Sequence, residues 1–171
     1  MPLLNVLEIA LRNAIHKALQ SQYGRPDWWG AWVNDPVFSY QSRQVAEANS
    51  KLARRHEPQH PDKIVAELTF GFWSSLFNSQ FQPVLWKNLR LVFAHCPKSQ
   101  RQRHTISAAL NQIRDLRNRV FHHEPLIWLT PDLVAQHAVG LEVVHWLDPN
   151  LETWLATFDR LPTNWNSWIN T

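Results

Sequence analysis

Apolar residues along this chain recur every three or four positions rather than every two, the spacing of helices that each bury one face. Over residues 3–20, Leu4, Leu7, Leu11, Ala14, Ile15 and Ala18 line one side, while Glu8, Arg12 and His16 step by four along another. Gly24 and Pro26 close that helix, and Pro26-Asp27-Trp28-Trp29 opens an aromatic connection reaching about Pro36. A polar, alanine-rich helix is predicted over about 39–56, ending in Arg54-Arg55-His56-Glu57-Pro58 because Pro58 bars continuation. Asp62 is the predicted N-cap of a helix running through about Phe77. A glycine inside a helix costs about 1 kcal/mol relative to alanine. Gly71, in the middle of that helix, therefore predicts the close approach of another backbone. Further helices are predicted over about 83–95 (with Pro83 in the first turn), 101–123, 132–146 and 149–160. With four glycines and no Asn-Gly or Asp-Gly turn, nothing signals a hairpin. The expectation is an all-α, single-domain helical bundle of six to seven helices spanning residues 1–171.

One helix breaks its own pattern. Taking Ile106 as the origin of a wheel at about 100° per residue, Leu110, Ile113, Val120 and Phe121 fall within about 60° of it, with Arg117 in their midst. A guanidinium stays charged and is seldom buried without a partner. Arg117 is therefore either a structural ion pair, with an acid such as Glu8 or Asp115, or part of an anion site in which a nearby histidine moves protons.

Composition adds constraints rather than an answer. The chain has 171 residues, 44% of them apolar, enough for a real core. Ten tryptophans and eight phenylalanines are more than a core this size absorbs, so some are expected at a subunit interface or stacked on nucleotides. A net charge of +3 with a pI near 9.4 is compatible with a polyanionic partner without demanding one. The single cysteine, Cys96, has no internal disulfide partner, and a reducing cytoplasm is the simplest setting. No apolar run approaches the roughly 20 residues of a membrane span, and Glu8, Arg12 and His16 interrupt the amino end as a signal peptide.

Arg117-Asn118-Arg119-Val120-Phe121-His122 has the form R-N-x-x-x-H. RNA is cut without metal when a base takes the 2′-hydroxyl proton and that oxygen attacks the adjacent phosphorus. Histidine suits the proton transfers, arginine the charge that grows on the phosphoryl oxygens, and asparagine the orientation of either. Residues five apart lie about 140° apart on a regular helix, so Arg117 and His122 do not share a face. Either the last turn distorts ahead of Pro125, or two copies meet across a dimer axis and complete each other's site.

Three stretches, Leu7-Glu8-Ile9-Ala10-Leu11-Arg12-Asn13, Leu68-Thr69-Phe70-Gly71-Phe72-Trp73 and Leu116-Arg117-Asn118-Arg119-Val120-Phe121-His122-His123-Glu124-Pro125-Leu126, together bracket about 120 residues. In order and spacing the chain resembles the Abi-like (abortive infection) family of the HEPN superfamily. The resemblance implies an all-α HEPN fold, a homodimer, and metal-independent endoribonuclease activity in phage defence or as a toxin, with RNA as substrate and a cognate antitoxin as a further partner. No cofactor is implied. The family's R-x(4–6)-H motif falls on Arg117, Asn118 and His122, with His123 the alternative histidine. Glu8 and Arg12, which the resemblance covers, and Arg114 and Arg119 on the motif helix are the expected supporting or RNA-binding residues. Relatives carry a further helix before the first stretch, which this chain is expected to lack. Some HEPN domains are catalytically silent binding modules, which is the alternative function.

Other constellations carry less. Glu8, Arg12 and His16 form either an ordinary i,i+4 ion pair on a solvated face or a support in which Glu8 fixes Arg117 or a histidine. His122, His123 and Glu124, with His104 or Cys96, lack the H-x-x-x-H or C-x-x-C spacing of a metal site. Arg101, Arg103, His104 and Arg114 are a basic run leading into the motif helix, either a solvated face or a phosphate-tracking approach. Trp28, Trp29, Trp32, Trp165 and Trp168 are expected in the core or an interface. No glycine-rich phosphate loop and no G-x-S-x-G turn is present, which leaves NTPase and serine-hydrolase chemistry without support.

Overall fold

The computed structural model describes residues 1–126, 129 and 131–169, apart from the side chains of Pro162, Asn166, Trp168 and Ile169. Nine α-helices occur in these residues: α1 (Pro2–Tyr23), α2 (Ser39–Arg54), α3 (Pro61–Glu67), α4 (Phe70–Ser75), α5 (Gln82–Leu89), α6 (Arg103–Phe121), α7 (Leu133–Leu147), α8 (Pro149–Ala156) and α9 (Leu161–Ile169). Short 3-10 turns lie at Trp28–Trp32, Pro36–Phe38, Ser79–Phe81 and Arg90–Val92. No strand occurs among the described residues, so the chain is all-α.

Helix α1 is the axis of the packing. Leu3, Leu7, Leu11, Ile15 and Leu19 are fully buried on one stripe, with Gly24 at φ 67° closing the helix in the left-handed region that glycine adopts freely. Helices α4, α5, α7 and α8 all pack against α1, and α4 and α7 also reach α6. Trp28 and Trp32, in the predicted aromatic connection, turn into the core. Trp32 stacks on Phe38 at 4.4 Å between ring centroids, Phe38 stacks on Phe81 at 4.9 Å, and Trp28 meets Phe72 and Trp73. Their polar edges are satisfied: Trp28 Nε1 donates to His16 Nδ1 at 2.9 Å and Trp32 Nε1 to Tyr23 Oη at 3.0 Å. Trp29 and Trp165 are half-buried against the core, and the side chain of Trp168 lies outside the described residues.

Several expectations are corrected. The predicted 62–77 helix is two helices, because Leu68 and Thr69 are extended and the Thr69 hydroxyl caps α4 by accepting from Phe72 N. Together with α9, that break raises the count from the expected six or seven to nine. The N-cap of α3 is His60, with Pro61 and Asp62 both in the first turn. A Cβ on Gly71 would meet nothing nearer than the Thr69 hydroxyl at 3.6 Å, so no neighbouring backbone requires glycine there.

The close approach is at Gly140. A Cβ built there would stand 2.6 Å from Leu3 Cδ2, and Leu3 has no exposed surface into which to retreat. Gly140→Ala is expected to destabilise by about 1–3 kcal/mol, the usual range for overpacking, despite the better helix propensity of alanine. Gly71→Ala should leave the melting temperature within error or slightly raised. Thermal melts of the two variants check this pair, and equal melting temperatures would mean that α1 and α7 part without strain.

Candidate functional site

The motif lies where α6 runs out of the core. Ile106, Leu110, Ile113 and Leu116 are buried, Val120 is only partly so, and Phe121 is 53% exposed. The apolar stripe predicted through Phe121 therefore thins in the last turn, where only Val120 still packs against the core.

What stops the helix is a Schellman arrangement. His123 adopts φ 55°, its N–H donates to Val120 O at 3.3 Å, and Glu124 N–H donates to Arg119 O at 2.9 Å. The same device ends α2: His56 also has φ 55°, its N–H donates to Ala53 O, and Glu57 N–H donates to Leu52 O. Both ends carry the sequence His-Glu-Pro, His56-Glu57-Pro58 and His123-Glu124-Pro125. His123 thus occupies a helix-stop position that recurs elsewhere in the chain without any R-N-x-x-x-H. Asn34 is the only other non-glycine at positive φ among the described residues.

Before His123 the helix is regular. His122 N–H still donates to Asn118 O at 2.9 Å, an ordinary i to i−4 bond, and His122 itself has φ −89° and ψ 5°. The distortion ahead of Pro125, one of the two ways to bring Arg117 and His122 together, is absent. Within one protomer the two remain about 140° apart.

Arg117 has a definite partner. Its Nε donates to Glu8 Oε2 at 2.9 Å and its Nη2 to Glu8 Oε1 at 3.4 Å, a two-pronged grip between α6 and α1. The side chains are 23% and 19% exposed, and the Phe121 ring lies 4.4 Å from the guanidinium carbon on the other side. Of the two acids considered, Glu8 takes Arg117, while Asp115 pairs with Arg114 at 3.1 Å. The i,i+4 ion pair foreseen along α1 does not form, and Arg12 Nε instead reaches Asn13 Oδ1 at 3.4 Å. Arg119 turns away toward Glu124 at 3.5 Å and lines a cleft of about 600 Å³ with Gln112, Asp115, Pro131 and Gln136. Asn118, His122 and His123 are exposed, and among the described residues their side chains have no hydrogen-bond partner. The structure therefore brings Glu8, Arg117 and Phe121 together and leaves Asn118, His122, Arg12 and Arg114 around them, each free or held locally.

His16, the third member of the α1 stripe, is inward. Burial lowers its pKa below the usual 6.5; Asp62, 3.6 Å from Nε2, pulls the other way, and Arg12 adds to the lowering. The unprotonated Nδ1 is also what Trp28 needs as acceptor. The unfolded chain then binds the proton more tightly than the folded one, so stability present above about pH 6.5 is lost as the pH falls through that range. The lowered carboxylates Asp27 and Glu57 act below about pH 4, beneath this window. Wild type is expected to lose more melting temperature between pH 7.5 and 5 than His16→Gln, whose amide oxygen accepts from Trp28 at either pH. Parallel losses in the two proteins would remove His16 as the cause.

One pair was missed from sequence. His137 Nε2 and Asp159 Oδ2 are 2.7 Å apart with side chains only 2% and 4% exposed, and Asp159 Oδ1 also accepts from Leu161 N at the start of α9. The signal existed: His137 sits on the stripe that buries Leu133, Gly140 and Val144 in α7, as Arg117 sits on that of α6. The pair ties α7 to the connection between α8 and α9. Among the described residues, no group of three or more His, Cys, Asp and Glu side chains is placed to hold a metal ion. No helix of the described residues is long and apolar enough to cross a membrane.

No family model, curated protein or solved structure matches this chain. The case for function therefore rests on residues and their placement.

Proposed function

We propose that this chain is a metal-independent endoribonuclease of the HEPN type, working in the cytoplasm as a homodimer in phage defence or as a toxin held by a cognate antitoxin. The observation that carries the proposal is the last turn of α6. Arg117 is gripped by Glu8 and stacked on Phe121, and an unpartnered Asn118 and His122 stand exposed on other faces of the same helix end. Those groups match the needs of 2′-hydroxyl attack. Histidine takes the 2′-proton, the 2′-oxygen bonds to phosphorus, and the arginine stabilises the charge that spreads over the phosphoryl oxygens. The bond to the 5′-oxygen breaks, that oxygen takes up a proton, and the products are a 2′,3′-cyclic phosphate and a 5′-hydroxyl.

A dimer supports this chemistry because one regular helix holds Arg117 and His122 apart. The exposed Phe121 on α6 lies against the Glu8–Arg117 pair, and Ile9, next to Glu8 in sequence, is exposed on α1, which gives a two-fold interface apolar surface to bury. The resemblance of the three stretches fits the packing as well, since α4 contacts both α1 and α6. A second reading, a silent HEPN module that binds RNA or a partner protein, is favoured by one fact: Glu8 already compensates the charge of Arg117.

The test is incubation of purified protein with total RNA in excess EDTA, wild type beside His122→Ala. Cleavage by wild type alone supports the enzyme. Binding without cleavage by either supports the silent module.

A further inference from the structure

Charge is unevenly spread along this chain. Residues 68–114 hold six of the 17 lysines and arginines and none of the 14 acids, leaving the remainder with 11 bases against 14 acids. The fold gathers five of those six around Trp86. A cleft of about 270 Å³ is lined by Gln82, Trp86, Lys98, Arg101, Arg103 and His104. A second, of about 710 Å³, shares Gln82 and Trp86 and adds Lys87 and Arg90. No carboxylate lines either cleft.

The two inner arginines are held in place by neutral groups. Arg101 donates from Nε to Cys96 O at 3.2 Å, and from Nη2 to Cys96 O at 2.8 Å and Ala94 O at 2.9 Å. Arg103 donates from Nε to Gln82 Oε1 and from Nη1 to Phe77 O, each at 2.9 Å. Carbonyl acceptors fix the guanidinium planes without cancelling their charge. Arg101 Nη1 and Arg103 Nη2 have no partner among the described residues. Elsewhere Arg25, Arg55, Arg114, Arg117 and Arg119 each face a carboxylate. The first turn of α6, which carries no acid and no side-chain cap, adds positive potential on the same side.

We propose that these joined clefts bind single-stranded RNA, with phosphates against Lys98, Arg101 and Arg103 and a base stacked on Trp86. Fixed guanidiniums suit phosphate oxygens, and a half-buried indole between two clefts suits an unstacked base better than a flat anionic membrane. The site does not depend on cleavage. It lies at the opposite end of α6 from the motif, and 19 residues of helix span about 28 Å, the length of about eight stacked nucleotides.

The experiment is fluorescence anisotropy of a labelled 2′-O-methyl oligouridine of 12 nucleotides, which binds without being cut, at several salt concentrations. Lys98→Glu combined with Arg90→Glu, both exposed, should weaken binding at least tenfold and flatten its salt dependence. Trp86→Leu should weaken it about tenfold with the salt slope unchanged. Lys51→Glu on α2 should bind as wild type. An RNA duplex of equal length should compete poorly. The proposal is overturned if Lys51→Glu weakens binding as much as the double variant, if the double variant binds normally while folded by circular dichroism, or if vesicles rich in phosphatidylserine are bound more tightly than the RNA. Binding by wild type with no cleavage of unmodified RNA would count against the ribonuclease alone.

Discussion

His122→Ala is expected to lower RNA cleavage by about 10²–10⁴-fold, the usual loss for one general acid–base, with an unchanged melting temperature. The second half follows from placement: the His122 side chain is exposed and makes no hydrogen bond among the described residues. His123 is the internal control, and its conformation separates the two histidines. It holds φ 55° to close α6, a conformation that costs an L-residue about 1 kcal/mol more than glycine. His123→Gly should therefore keep cleavage and raise the melting temperature slightly. If His123→Gly destroys cleavage and His122→Ala does not, His123 moves the proton.

Arg117→Lys should cost about 10²–10³-fold in cleavage, since a lysine cannot reproduce a two-pronged grip on phosphoryl oxygens. Glu8→Gln, which keeps the shape and removes the charge that orients Arg117, should lower the cleavage rate at saturating RNA more than it changes the RNA concentration for half-maximal rate. If Arg117 is only a structural tie between α1 and α6, Glu8→Gln and Arg117→Lys will instead lower stability and leave cleavage per folded molecule alone. The shared site has a sharper consequence. Mixing Arg117→Lys with His122→Ala subunits should restore about a quarter of wild-type activity, because half of the dimers are then mixed and each mixed dimer regains one intact site of its two. A site complete within one protomer gives no recovery.

What could be read from sequence followed from periodicity and proline, and what could not was decided by contacts between distant segments. The buried stripes of α1 and α6 follow from a 3.6-residue period, and Gly24 stops α1 for a reason local to the chain. The break at Leu68-Thr69 escaped because an apolar run hides a threonine cap until its hydroxyl is seen to accept from Phe72 N. Gly71 drew attention that belonged to Gly140, since only the packing of α7 on Leu3 tells which glycine is crowded. At the site, Arg117 was legible as a charge on an apolar stripe and Glu8 as one of two acids to meet it, but 109 positions separate them and the choice belongs to the fold. The His-Glu-Pro stop was visible twice in the sequence, yet its meaning for His123 required the left-handed φ at both copies.

The most direct measurement uses a DNA oligonucleotide containing a single ribonucleotide, incubated with the protein in EDTA, with the products weighed by mass spectrometry. Attack by the 2′-oxygen predicts cleavage only after the ribonucleotide, a 2′,3′-cyclic phosphate on one fragment and a 5′-hydroxyl on the other, and no cleavage when that nucleotide is 2′-O-methyl. Cleavage that requires magnesium and leaves a 3′-hydroxyl would contradict the account.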